Sequence, residues 1–153
     1  EQRYFFFHLK GFKFDWKSYD DLSNLIIGAS SGYHYKKEFQ DSEKENRIKV
    51  IRVGTESQLI KLLLAERIQL ALIERRIAQD LMCRSFSPQE NAQVTYHPKL
   101  QSEGGLHLLL SKNIENNKTL IDKFNRGLKQ LKTSGKANLE FLACSQQVSA
   151  THR

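Results

Sequence analysis

Three apolar runs in this chain end abruptly in residues that could hold a small charged molecule. Leu25-Ile26-Ile27-Gly28 leads into Ser30-Ser31-Gly32-Tyr33, Val50-Ile51-Arg52-Val53 into Gly54-Thr55-Glu56-Ser57, and Leu70-Ala71-Leu72-Ile73 directly into Glu74. Read as parallel strands, the runs bring their polar ends to one rim, where open α/β sheets bind ligands. If Ser31, Gly32, Tyr33 and His34 open a helix, their unpaired backbone N–H groups and the helix dipole favour an anion such as a carboxylate. Glu74 supplies a negative charge suited to an ammonium. An anion site beside a cation site fits a zwitterion, and an amino acid is the commonest one. The same residues also have purely structural readings. Glu74 could pair with Arg75, Arg76 or Lys112. Tyr33 and Tyr35 could close the helix against the sheet, and Thr55 and Ser57 are of helix-capping type.

The elements that must position these residues follow from hydrophobic periodicity. Arg3 to Leu9 is aromatic-rich and reads as a strand, and Trp16 to Leu22 as a short helical turn before the first core strand at Leu25 to Gly28. Tyr35 and Phe39, at i and i+4, suit a helix over Tyr33 to Glu43 that Asn46 closes. A second strand follows at Ile48 to Val53. Ser57 is placed to cap a helix whose buried face is Leu59, Ile60, Leu62 and Leu63. The unbroken apolar run Leu70 to Ile73 suits a strand covered on both faces, and Ile77, Ala78, Leu81 and Met82 repeat at helical spacing. Ser85 to Asn91, with Pro88, reads as a loop, and Val94 to Tyr96 as a short strand. After Gly104 and Gly105, the run Leu106 to Leu110 reads as another strand. Leu120, Ile121, Phe124, Leu128 and Leu131 predict an amphipathic helix from Asn117 to Lys132 that Gly135 terminates. A last helix over Lys136 to Ser145 and a loose polar tail complete the layout.

Composition narrows the function classes. A chain of 153 residues, 39% hydrophobic and 27% charged, fits one ordinary domain or two small lobes. No apolar run approaches the ~20 residues that span a bilayer as a helix. The formal net charge of +7 invites a nucleic-acid reading. The signs interleave, however: Lys36 and Lys37 precede Glu38 and Asp41, Glu43 and Glu45 flank Lys44, and Arg75 and Arg76 follow Glu74. Such mixing makes solvated helical faces rather than docking stripes, so no nucleic-acid partner is expected. Cys83 and Cys144 form no Cys-x-x-Cys pair and read as two ordinary thiols, although an oxidising compartment would permit a bridge. The histidines His8, His34, His97, His107 and His152 fall at no metal-ligand spacing, so neither a metal nor another cofactor is expected. Gly28-x-x-x-Gly32 is neither a dinucleotide fingerprint nor a phosphate loop, and a Gly-x-Ser-x-Gly elbow is missing. The chain is read as a binding module, not an enzyme.

Two stretches carry a family resemblance: Ile26-Ile27-Gly28-Ala29-Ser30-Ser31-Gly32-Tyr33-His34-Tyr35, and Leu59 through Leu64 continuing to Leu70-Ala71-Leu72-Ile73-Glu74. Together with Phe124-Asn125-Arg126-Gly127-Leu128 and Leu131-Lys132-Thr133-Ser134-Gly135, they resemble the second lobe and closing helix of the extracellular solute-binding proteins of family 3. These proteins deliver amino acids and similar polar solutes to ABC importers. The resemblance implies a type II periplasmic-binding-protein-like α/β fold, a mostly parallel sheet flanked by helices, with one lobe complete and the other largely missing. It divides the chain into a hinge strand (1–10), the second lobe (11–104), a returning hinge strand (105–112), C-terminal helices of the first lobe (113–145) and a loose tail (146–153). About a hundred residues of first lobe are then expected upstream.

The implied function is that of a periplasmic protein presenting a small polar solute to a transporter permease. Two related modules stay open: the sensing domain of a membrane receptor and the effector-binding domain of a LysR-type regulator. Glu74 stands where the family often places the acid that holds the ligand's amino group, and Gly32 and Tyr33 match its glycine-threonine turn. Ser31, Gly32, Tyr33, His34, Thr55 and Glu74 are thus the candidate ligand-binding residues. Tyr33 and His34 replace the usual small hydroxyl residues, and Gln69 stands where an aspartate is frequent. Phe5 to Phe7 and the Leu120 to Leu131 stripe, taken as unpartnered, suggest a homodimer formed by exchanging the hinge or tail.

Overall fold

Strand alternation organises the fold, because successive residues of the central strands enter two different cores. The computed structural model describes residues 2–135. In chain order it contains β1 (Gln2–Leu9), a 3-10 turn (Tyr19–Leu22), β2 (Ile26–Ser30), α1 (Lys37–Lys44), β3 (Lys49–Val53), α2 (Glu56–Leu64), β4 (Leu70–Glu74), α3 (Arg75–Ser85), α4 (Pro88–Gln93), β5 (Val94–Tyr96), β6 (Ser102–Gly104) and α5 (Asn117–Thr133). The sheet runs in the order β3-β2-β4-β1-β5, with β6 also on β1. β2 pairs in parallel with both β3 and β4, while β1 runs antiparallel to β4, β5 and β6.

On one face Phe6, Ile27, Ala29, Leu70 and Leu72 pack with Phe39 of α1 and with Trp16 and Tyr19. On the other, Phe5, Phe7, Ala71 and Ile73 pack with Leu59, Ile60 and Leu63 of α2 and Ala78 of α3. Both faces are covered, which is why β4 is apolar without alternation. Gly28 lies on the second face, and a Cβ there would stand 2.6 Å from Ile68 Cδ1 and 2.7 Å from Leu59 Cδ2. Its missing side chain lets α2 settle onto the sheet.

Four expectations change. First, α1 begins at Lys37 and not at Tyr33. Tyr35 stays outside the helix because its buried ring reaches back to the end of β2, where its hydroxyl accepts a hydrogen bond from Ser30 N at 2.9 Å. The Tyr35 and Phe39 rings still meet, 5.4 Å apart. Second, Thr55, not Ser57, caps α2, with Gln58 completing a reciprocal capping box. Third, residues 88–93 are helical: Ser87 caps α4, Glu90 returns the bond, and Pro88 occupies the first turn, where a missing N–H costs nothing. Fourth, Leu106 to Leu110 form no strand. An apolar run becomes a strand only where a neighbour takes its backbone groups. Both edges of β1 are already paired, one with β4 and the other with β5 and β6.

The chain divides into two compact units, Glu1–Gly104 and Gly105–Arg153. Within the second, α5 begins near where its stripe placed it, and Gly135 has the positive φ of 71° that suits a helix terminator. The expected helix over 136–145 and the tail fall outside the described residues. Phe5, Phe6 and Phe7 are buried in the first unit, at 7%, 0% and 2% exposure, so they supply no open surface for an exchanged dimer. Cys83 is disulfide-bonded rather than a free thiol. No helix among the described residues is long and apolar enough to cross a membrane.

Gly28→Ala should lower unfolding free energy by about 1–3 kcal/mol, since the added methyl must displace two core side chains that have nowhere to go. Urea denaturation measures it, and an unchanged midpoint would show that the contact is slack.

Candidate functional site

β2, β3 and β4 are parallel, so their carboxyl ends lie on one rim. The chain leaves β2 toward α1 on one face of the sheet and leaves β4 toward α3 on the other. Adjacent strands whose connections diverge in this way leave a crevice between their ends, the usual ligand position in open α/β sheets. The residues after β2 (Ser31 to His34), after β3 (Thr55, Glu56) and at the end of β4 (Glu74) all belong to this rim. β1 enters from the same side, because Tyr4 is the register partner of Glu74.

Glu74 is 5% exposed. It is the N-cap of α3: Oε2 accepts from Ile77 N at 2.9 Å, while Oε1 accepts from Arg3 N at 3.3 Å. The carboxylate is thereby held at the rim by backbone donors and not by the neighbouring arginines. An ionised carboxylate has about four acceptor positions, so these two bonds leave it capacity for a ligand.

The loop after β2 departs from the expected anion site. Because α1 starts only at Lys37, the amides of Ser31 to His34 do not form a helix N-terminus. Ser31 N donates to Val53 O at 2.7 Å, closing the loop onto β3. Gly32 takes a positive φ of 76°, a conformation that carries no steric penalty for glycine. The amides of Gly32, Tyr33 and His34 have no acceptor among the described residues. Thr55 is exposed and committed to its cap, its Oγ1 accepting from Gln58 N at 3.3 Å.

Periodicity did not single out three side chains that the structure brings to this rim: Tyr4, Arg52 and Glu56. Tyr4 meets Tyr35 edge-on at 5.6 Å, and Tyr35 lies 6.2 Å from Tyr33, making a continuous aromatic strip. Arg52 stands 5.3 Å over the Tyr35 ring. It forms a two-pronged ion pair with Glu43 and donates to the carbonyl of Ser30 at 3.1 Å. The Glu43 contact pushes its pKa further up. Glu56, in the first turn of α2, reads in sequence as ordinary compensation of the helix dipole. The position of Tyr4 becomes visible only through the β1–β4 register.

Burial and the nearby carboxylates together set the electrostatics. The Tyr33 hydroxyl hydrogen-bonds Glu56, and this contact, with burial and the negative charge, pushes its pKa up to about 12. Burial first, then Tyr35, Glu74 and Glu56, raise the pKa of Tyr4. Burial also raises that of Tyr35, against the hydrogen bond from Ser30 N and the charge of Arg52. A phenol with a raised folded-state pKa contributes stability that is complete below the unfolded value near 10.0 and is lost as pH rises through about 12. Ultraviolet titration of tyrosinate should therefore show a late-ionising tyrosine that Glu56→Gln returns toward the ordinary range. Superimposable titrations of the two proteins would mean that Glu56 does not hold this hydroxyl.

No protein-family model matches the chain, and no curated protein matches it in sequence. Solved structures do match. An ancestral arginine-binding protein bound to arginine is similar over 96% of this chain and 60% of its own, with a TM-score of 0.66 and 19% identity. An amino acid ABC transporter substrate-binding protein from Streptococcus pneumoniae, bound to L-arginine, is similar over 95% of this chain and 57% of its own, with a TM-score of 0.67 and 18% identity. The second substrate-binding domain of Lactococcus lactis GlnP, in an open conformation, is similar over 92% and 56%, with a TM-score of 0.59 and 17% identity. The chain thus spans under two thirds of the length of these proteins, and over that span it has the fold of amino acid ABC transporter substrate-binding proteins.

Proposed function

We propose that this chain is the ligand-holding part of a solute-binding protein that captures an amino acid for an ABC importer without chemical change. The observation that carries this reading is Glu74: a buried carboxylate at the carboxyl end of β4, at the strand-order reversal of a mixed sheet, fixed by two backbone donors and still able to accept. It would take the ligand's ammonium group. The unengaged amides of Gly32, Tyr33 and His34 would take the carboxylate, a weaker anion site than a helix N-terminus because no aligned dipole lies behind them. Ser31 and Thr55 shape this wall through their contacts to β3 and α2.

The similar structures support an amino-acid ligand, two of them having been solved with arginine. The disulfide at Cys83 suits the oxidising, extracytoplasmic compartment in which such proteins work. Delivery to a membrane permease then requires a ligand-dependent change of shape, which a ligand touching two walls produces by favouring the closed state.

One wall supplies only part of the binding energy, so the chain alone should bind amino acids weakly, near the ~1 mM that corresponds to about 4 kcal/mol. Nuclear magnetic resonance titration with L-glutamine and L-arginine should shift the amides of Gly32, Tyr33, His34 and Ile77, while Glu74→Ala abolishes the response. Shifts scattered away from the rim, or none at millimolar ligand, would reject the proposal.

A further inference from the structure

Glu56 Oε1 is shielded from solvent and has no hydrogen-bond partner among the described residues. A carboxylate oxygen removed from water without a donor is costly, and native structures leave few such atoms without a purpose. Ser30 lies at the same rim, at the end of β2; the residue is 2% exposed, and its Oγ is also without a partner among the described residues. By strand alternation Ser30 belongs with Ile26 and Gly28, toward the side of the sheet that α2 covers. Two unmatched polar atoms therefore accompany the crevice, one of them anionic.

The surroundings of Glu56 suit a cation. Tyr33, Tyr35 and Tyr4 form a connected aromatic strip, and tyrosine faces attract ammonium and guanidinium groups. Tyr4 is the register partner of Glu74, and burial, then Tyr35, Glu74 and Glu56, raise its pKa. Arg52, a basic side chain on this rim, does not neutralise Glu56 in the structure. Its guanidinium is committed to Glu43 and to the carbonyls of Ser30 and Tyr33.

We infer that Glu56 is a specificity-determining residue that receives a second positive centre, so that the site takes an amino acid with a cationic side chain in preference to a neutral one. The inference rests on the proposed amino-acid-binding function and assigns the side-chain end of that ligand. The ammonium next to Cα goes to Glu74 and the side-chain cation to Glu56, with Tyr33 and Tyr4 lining the path between. A neutral side chain would leave Glu56 Oε1 without the charge it lacks. A charge-assisted hydrogen bond at a shielded carboxylate supports about tenfold discrimination.

The test compares L-arginine and L-lysine with L-glutamine, titrated by nuclear magnetic resonance into the chain and into Glu56→Gln. The expected result is about tenfold tighter binding of the two cations, falling to parity in the variant while glutamine affinity stays within about twofold. Glu56→Asp, which keeps the charge but shortens its reach, should retain part of the preference and guards against a folding defect in the amide variant. Equal affinity for all three amino acids, or a cation preference that survives Glu56→Gln in a protein with an unchanged fold, overturns the role of Glu56 and leaves the binding function standing. Absence of binding by all three at the rim overturns the binding function and this inference together.

Discussion

The close approach of α2 to β2 at Gly28 is the constraint on which the rim depends. Leu59 and Ile68 occupy the space a side chain would take, at separations below any real Cβ contact. With α2 seated this low, its first turn brings Thr55 and Glu56 to the carboxyl end of the sheet beside the loop after β2. A bulkier residue at position 28 would push the Leu59 and Ile68 side chains aside and disturb the packing of α2 on β2. The glycine therefore serves packing first and electrostatics second.

The rim's charges are held by bonds that serve the fold as well. Glu74 caps α3, Thr55 caps α2, and Arg52 ties the loop after β2 to Glu43. Because each anchor satisfies backbone groups that would otherwise be orphaned, the same bonds that hold the fold also fix these side chains at the rim. Glu56 is the exception. Its neighbours are aromatic, one of its oxygens is unmatched, and the helix gains little from it beyond dipole compensation, which is worth a few tenths of a kcal/mol to about 1 kcal/mol at a surface.

Much of this was legible in the chain. The apolar runs, each followed by polar residues, gave the three parallel strands and their common edge, and the stripe from Leu120 to Leu131 gave α5. The Ser87-Pro88-Gln89-Glu90 sequence encodes the cap of α4 as plainly as any element here, although proline suggested a loop. The start of α1 was not legible, because Tyr35 and Phe39 have helical spacing whether or not Tyr35 is helical. Its hydroxyl bond to Ser30 decides the matter, and that contact spans a turn whose path periodicity does not encode. Leu106 to Leu110 failed for the complementary reason: strand character in a sequence says nothing about whether a neighbouring strand pairs with it.

The sequence by itself determined the three parallel strands, the helices α2, α3 and α5, the double-sided burial of β4 and the placement of Glu74 at a strand end, because these follow from residue spacing and local chain chemistry. Only the tertiary structure decided that Tyr4 faces Glu74, that Glu56 meets Tyr33, and that Arg52 is spent on Glu43. Those pairings depend on strand register and on how far each helix sinks onto the sheet. Both are set by contacts between residues distant in the chain, so the charge pattern of the rim emerges only when the two cores close around it.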